Sequence, residues 1–274
     1  MTKTDKNANK GKKLIILGFV TIAIVFLLYG RYQDPELLTP SAIESIQRIA
    51  YGFYIILAVS FGGIAFGMYR YHKEKVENKG KDLSSIIALT TWNSKSRKIF
   101  VITFIGYGVF FSLVSGTLVY QPEVNFSYHY GATIPSGFIA PCCDGPGYMP
   151  KIIIYLTEHI GLQIIPINLV LQVIVSYLVG LNTAIAVNAY TISKKGRGAS
   201  SIGAIAGLFI ACPTCAGSFL SIFIGTASGI ALSIALTQLQ TLFIAISIPI
   251  LLATPFIMAK KLRNVDGSCK INPD

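Results

Sequence analysis

Long apolar segments alternate with short charged segments along the whole chain. Each apolar segment approaches the ~20 residues that a helix needs to cross a bilayer, so the pattern predicts membrane-spanning helices rather than strands. The first segment is the shortest, but no small-residue cleavage site follows it, which favours a retained helix over a signal peptide. We therefore predict an all-α, polytopic integral membrane protein with about six transmembrane helices. They cover residues 14–29, 49–69, 99–119, 166–190, 201–224 and 241–259.

Composition leads to the same class of protein. Hydrophobic residues make up 53% of the 274 residues and charged residues only 13%, about half the share of a soluble domain. A net charge of +11 is compatible with nucleic-acid binding. However, the positive residues lie between the apolar segments, where they determine topology. We therefore expect the lipid bilayer, and not nucleic acid, as the partner.

The distribution of Lys and Arg predicts the topology of a multi-pass protein of the cell membrane. Twenty of the 23 Lys and Arg residues fall in the tail 1–13, the loop 70–98, the turn 194–198 and the tail 260–274. Positively charged segments stay in the cytoplasm, so both termini are predicted there. The expected organisation is a basic tail (1–13), three helices (14–119), an extracytoplasmic loop (120–163), three helices (164–259) and a cytoplasmic tail (260–274).

The outer loop, 120–163, contains the first pair of thiols. It is rich in proline and aromatic residues, so we expect it to fold over the membrane surface, with a short interfacial helix at 151–161. Cys142 and Cys143 are adjacent and lie in a predicted tight turn, where two thiols can bind a soft metal ion. His129 and Met149 lie in the same loop and are candidates for additional ligands. A surface histidine and packing roles are the alternatives.

The second pair of thiols is Cys212 and Cys215, in the fifth predicted helix. They lie near mid-bilayer and share one helix face, so both sulfurs can point at one partner. Pro213 between them breaks or kinks the helix, and a helix that restarts there favours thiolates at its N-terminus. Small residues recur every four positions and predict close helix packing, which is also the alternative role of the thiols. The stripe includes Gly203, Gly207 and Ala211.

Two local resemblances follow from these thiols. Residues 211–225 resemble the cysteine-bearing helix of bacterial mercuric-ion transport membrane proteins, in which a second thiol pair can lie in a loop, as Cys142 and Cys143 do here. This resemblance implies heavy-metal transport and covers about 15 residues of the chain. A loop pair followed by a membrane Cys-x-x-Cys is also similar to vitamin K epoxide reductase-type thiol oxidoreductases. Here, however, the loop cysteines are adjacent.

We favour a membrane protein that handles a soft metal ion, most plausibly Cu(I). The outer pair would capture the ion and Cys212 and Cys215 would hold it in the membrane. Two alternatives stay open, a non-catalytic subunit of a larger membrane complex and a membrane thiol–disulfide oxidoreductase. The predicted span centres contain no charged residue or histidine, unlike most ion-coupled transporters. Their main polar groups are amides, which we expect to join neighbouring helices. These are Asn168, Gln172, Asn182 and Asn188.

Overall fold

The computed structural model describes residues 3–31, 40–77, 83–142, 147–195 and 248–257, and these are mostly helical, as predicted. Four helices within these ranges are long and apolar enough to cross a membrane. They are Lys10–Gly30, Ala42–Glu77, Ser94–Leu113 and Pro166–Asn188, and they correspond to the first four predicted spans. The fifth predicted span lies outside the described residues, and the sixth is described only as the shorter helix Ile248–Ile257.

The helices extend further than the hydrophobic pattern. In chain order they are α1 (Lys3–Gly30), α2 (Pro40–Glu77), α3 (Leu83–Trp92), α4 (Ser94–Val114), α5 (Phe126–Tyr130), α6 (Pro166–Lys195) and α7 (Ile248–Ile257). The charged segment 70–98, predicted as a loop, contains the end of α2, all of α3 and the start of α4. Lysine, glutamate and arginine are good helix formers, so a helix can continue beyond its apolar part.

Two compact units divide the chain, and the first combines Met1–Glu74 with Val109–Val173. Within it, α1 and α2 pack antiparallel and their backbones touch at glycines. A Cβ atom on Gly67 would lie 3.0 Å from the carbonyl oxygen of Gly11, and one on Gly18 would lie 2.4 Å from the side chain of Ile64. At the other end of the pair, the rings of Phe26 and Phe53 meet edge to face. Small residues allow this close packing of apolar helices.

The second unit combines Lys75–Gly108 with Ile174–Asp274. Its described core is built on α6, where Leu181 and Ile185 pack with Ile87 of α3, while Val175 and Leu178 pack with Leu251 of α7. The core of this unit therefore joins segments that are far apart in the sequence.

Three of the four predicted amides join helices, whereas Asn168 donates to the carbonyl of Ser115, just beyond the end of α4. Gln172 donates to the Ser112 hydroxyl at 2.6 Å, and Asn188 donates to the Ser96 hydroxyl at 2.5 Å. Asn182 donates to the backbone carbonyl of Leu251 at 3.0 Å. Each of these three bonds connects α6 to another helix, within one unit. In an apolar environment such bonds satisfy groups that water does not reach.

A four-stranded antiparallel sheet lies in the segment predicted as the outer loop. Its strands are β1 (Leu118–Tyr120), β2 (Ser136–Ala140), β3 (Lys151–Tyr155) and β4 (Ile160–Ile164), in the order β1-β4-β3-β2. The predicted interfacial helix at 151–161 is therefore wrong, because these residues form the β3–β4 hairpin. Three successive isoleucines, 152–154, favour a strand because β-branched side chains fit a pleated sheet better than a helix.

The glycine contact between α1 and α2 gives a testable prediction. In Gly67→Leu the new side chain must enter space that the backbone of α1 occupies, so we expect a loss of about 1–3 kcal/mol in unfolding free energy. The measurement is thermal unfolding in detergent, followed by circular dichroism. Gly62→Leu is the control, because a Cβ atom on Gly62 meets nothing within 4 Å. Equal losses in the two variants would contradict the proposed close packing.

Candidate functional site

Two tyrosines connect the sheet to α1 and α2. The hydroxyl of Tyr54, on α2, lies 2.6 Å from the carbonyl oxygen of Pro150 and 3.0 Å from that of Ile164, so its single proton is shared between the start of β3 and the end of β4. The hydroxyl of Tyr29, on α1, donates to the carbonyl oxygen of Pro141 at 2.6 Å, directly after β2. Three strand ends are thereby held against two helices.

Aromatic packing fixes the position of these two hydroxyl groups. Phe53 lies between the two tyrosines, with ring centroids 5.2 Å from Tyr29 and 5.5 Å from Tyr54, both in edge-to-face geometry. Phe26 packs edge to face on Phe53 from α1. Such pairs add about 0.5–1.5 kcal/mol each beyond the area they bury. The cluster therefore holds both donors in place at the base of the sheet, the end of the sheet that meets α1 and α2.

Cys142 lies at this base. It follows Pro141, whose carbonyl oxygen accepts the bond from Tyr29, and the residue is half-buried. Soft metal ions bind the thiolate form of cysteine. Cys142 is thus a half-buried thiol residue next to a backbone position that Tyr29 holds.

Met149 lies at the same end of the sheet. Ala140, the last residue of β2, pairs with Lys151, the first residue of β3, so these two strand ends lie side by side. Cys142 is two residues after this pair and Met149 is two residues before it. Met149 is only 7% exposed, and the next residue supplies the carbonyl that Tyr54 binds. The fold therefore brings a thiol and a thioether to one end of the sheet.

His129 lies at the opposite end of the sheet, the tip. It neighbours Tyr130, whose ring stacks at 6.4 Å on that of Tyr155, and Tyr155 pairs with Ser136 at the start of β2. Ser136 and Ala140 are about 13 Å apart, at ~3.3 Å per residue. The structure therefore does not bring His129 together with Cys142.

The short helix α5 is fixed on the sheet by the β3–β4 turn. Asn125 caps α5 by accepting a hydrogen bond from the amide of Tyr128, and Glu158 in the turn accepts one from the Ser127 hydroxyl at 3.0 Å. The Nδ1 atom of His159 lies 3.0 Å from the Val124 carbonyl oxygen, so this nitrogen carries a proton. Glu158 and His159 thus have a structural role, which is to hold the β3–β4 turn against α5 and the residues before it.

The sheet also exposes an aromatic face that the sequence did not identify as a unit. Tyr128 is 89% exposed, and Tyr130 and Phe138 are exposed as well. Tyr155 lies between Tyr130 and Phe138, in ring contact with both. Burial, and then the neighbouring Tyr130, raise the pKa of Tyr155 above its ordinary value. We call Tyr128, Tyr130, Phe138 and Tyr155 the aromatic face.

The other predicted site residues lie outside the described residues. These are Cys143, Gly203, Gly207, Ala211, Cys212, Pro213 and Cys215. Within the described part of the chain, no three side chains of His, Cys, Asp or Glu come together as a metal site. The sequence also missed the two tethers, Tyr29 and Tyr54. In the sequence, Tyr29 is the last residue of the first apolar segment, and Tyr54 lies near the start of the second. Neither position indicates a bond to a sheet.

Comparisons with known proteins give no assignment. The chain matches no family model, no curated protein and no solved structure. Function therefore has to be argued from the residues themselves.

The tether by Tyr54 leads to a prediction. Tyr54→Phe removes the shared hydroxyl and leaves two carbonyls without this donor, so we expect a loss of about 0.5–1.5 kcal/mol and faster amide exchange in β3 and β4. Hydrogen–deuterium exchange on the protein in detergent measures the exchange rates of the amides in β3 and β4. Tyr51→Phe, an exposed position on the same helix, is the control and should leave the exchange unchanged. Unchanged exchange in Tyr54→Phe would contradict the tether.

Proposed function

We propose that this chain is a multi-pass protein of the cell membrane with six spans and both termini in the cytoplasm. The arrangement of α1 and α2 supports this topology. Lys10, Lys13 and Arg70 lie at one end of the antiparallel pair, and the sheet meets Tyr29 and Tyr54 at the other. With the basic end in the cytoplasm, the sheet is extracytoplasmic.

The proposed function is the handling of a soft metal ion, Cu(I). The observation that carries it is the shared location of Cys142 and Met149 at the base of the sheet, with Cys143 next in the chain. Thiolate and thioether ligands select Cu(I) over the harder divalent ions. A low coordination number suits a site formed by two thiols and one thioether. His129, at the tip of the sheet, has no part in this site.

The outer site would deliver the ion to a second pair of thiols in the membrane. Cys212 and Cys215, in the fifth predicted span, would share a helix face, and Pro213 would place them at the start of a helix segment, where thiolates are favoured. The Gly203, Gly207 and Ala211 stripe would let a neighbouring helix approach these thiols closely. Two sites of the same ligand chemistry, at different depths, form a relay for one kind of ion.

A second candidate function is that of a non-catalytic subunit in a larger membrane complex. The aromatic face favours it, because exposed tyrosine and phenylalanine side chains are enriched in protein–protein interfaces. In that case the thiols would serve packing, and the sheet would dock another membrane subunit.

Copper binding by variants tests the proposal. Purified protein in detergent is titrated with Cu(I) against a colorimetric chelator. We expect the double variant Cys142→Ser/Cys143→Ser to lose the outer site and Met149→Leu to weaken it by roughly tenfold or more. His129→Ala and Cys269→Ser are the controls and should bind as the wild type does.

Other outcomes would reject copper handling. A reducible Cys212–Cys215 disulfide in a protein that binds no copper would instead favour the thiol–disulfide oxidoreductase. If serine at all four positions leaves copper binding unchanged, and the wild type contains no Cys212–Cys215 disulfide, the thiols serve packing. The subunit role would then be favoured.

A further inference from the structure

A cavity of about 270 Å³ lies between α1 and α2, at the end opposite the sheet. The cavity lies beside the glycine contact, because Gly11 lines the cavity and packs against Gly67. The absence of side chains at these two positions brings the helices together, while the longer side chains on either side form walls. The cavity therefore follows from the same packing that joins the two helices.

Three cations line this cavity. Lys10 and Lys13 come from α1, and Arg70 comes from α2. Among the described residues, no carboxylate lines it; the nearest along α2, Glu74, is buried one turn further on. The Arg70 guanidinium lies 5.8 Å from the centre of the Phe66 ring, a cation–π distance that holds its charge beside the opening. Three basic residues thus line one cavity, and its described lining contains no acidic residue.

The remaining walls are apolar. Leu14, Leu17 and Phe66 line the cavity on the side that continues into the apolar parts of the two helices. Leu17 and Phe66 are both exposed. One side of the cavity is thus lined by cations and the other side by apolar side chains. A ligand that fits both sides is itself amphipathic.

We propose that this cavity binds an anionic phospholipid, with its phosphate on Lys10, Lys13 and Arg70 and its acyl chains along Leu14, Leu17 and Phe66. Basic pockets between transmembrane helices on the cytoplasmic side have this chemistry. A soluble phosphate would use the cations but gain nothing from the apolar wall, so the lining favours the lipid. The lipid would stabilise the α1–α2 pair at the end where no sheet holds it.

Lipid retention tests the proposal on the full-length protein. The protein is purified in detergent, supplied with phosphatidylglycerol or phosphatidylcholine of identical acyl chains, and bound lipid is counted by native mass spectrometry. We expect phosphatidylglycerol to be retained in preference. Lys13→Gln/Arg70→Gln should weaken that retention by about fivefold for each cation removed. Lys12→Gln/Lys73→Gln removes the same charge from exposed positions on the same helices, outside the cavity, and should retain the lipid.

Four results would overturn the proposal. They are equal retention of the two lipids by the wild type, equal losses in the two double variants, no loss in Lys13→Gln/Arg70→Gln, and displacement of the lipid by inorganic phosphate at constant ionic strength. The last result would mean a site for a soluble anion. If Lys13→Gln/Arg70→Gln does not fold, the salt dependence of lipid retention by the wild type tests the proposal. High salt should release phosphatidylglycerol and leave any bound phosphatidylcholine unchanged.

Discussion

The hydroxyl of Tyr54 is the contact on which the packing of the sheet against α2 depends. Strand ends that meet apolar helices leave backbone carbonyls in need of donors, and an unpaired buried carbonyl destabilises the fold. Tyr54 supplies one proton to the carbonyls of Pro150 and Ile164, and Tyr29 supplies another to that of Pro141. Because Cys142 and Met149 lie beside these carbonyls in the chain, the proposed copper site depends on the same bonds.

The α1–α2 pair is built differently at its two ends. At one end, glycines allow the two backbones to touch. Two lysines and an arginine line a cavity beside this contact. At the other end, the rings of Phe26, Tyr29, Phe53 and Tyr54 fill the space between the helices and hold the sheet. The first end suits a charged lipid headgroup, and the second supports the folded sheet. This asymmetry agrees with the orientation proposed from the distribution of Lys and Arg.

Hydrophobic length predicted the four helices of the described residues that are long and apolar enough to cross a membrane. It did not predict the β3–β4 hairpin, since a short run such as Ile152–Ile154 is compatible with either a strand or a helix. Nor could it separate His129 from Cys142, because that separation depends on strand register, which is set by pairing between distant residues. The hydrophobic pattern does not single out Tyr29 or Tyr54, and only the folded sheet reveals their acceptors. Cys212 and Cys215, outside the described residues, remain a prediction.

Thiol accessibility in sealed cells measures most directly whether the sheet and its thiols face outward. A membrane-impermeant maleimide is applied to intact cells and then to permeabilised cells, and the modified peptides are identified by mass spectrometry. We expect the Cys142–Cys143 peptide to be modified in intact cells, and Cys269, in the predicted cytoplasmic tail, only after permeabilisation. The Cys142→Ser/Cys143→Ser variant should lose the first signal and keep the second. Modification of Cys269 but not of the Cys142–Cys143 peptide in intact cells would contradict the outward orientation and, with it, the proposed capture of Cu(I) outside the cell.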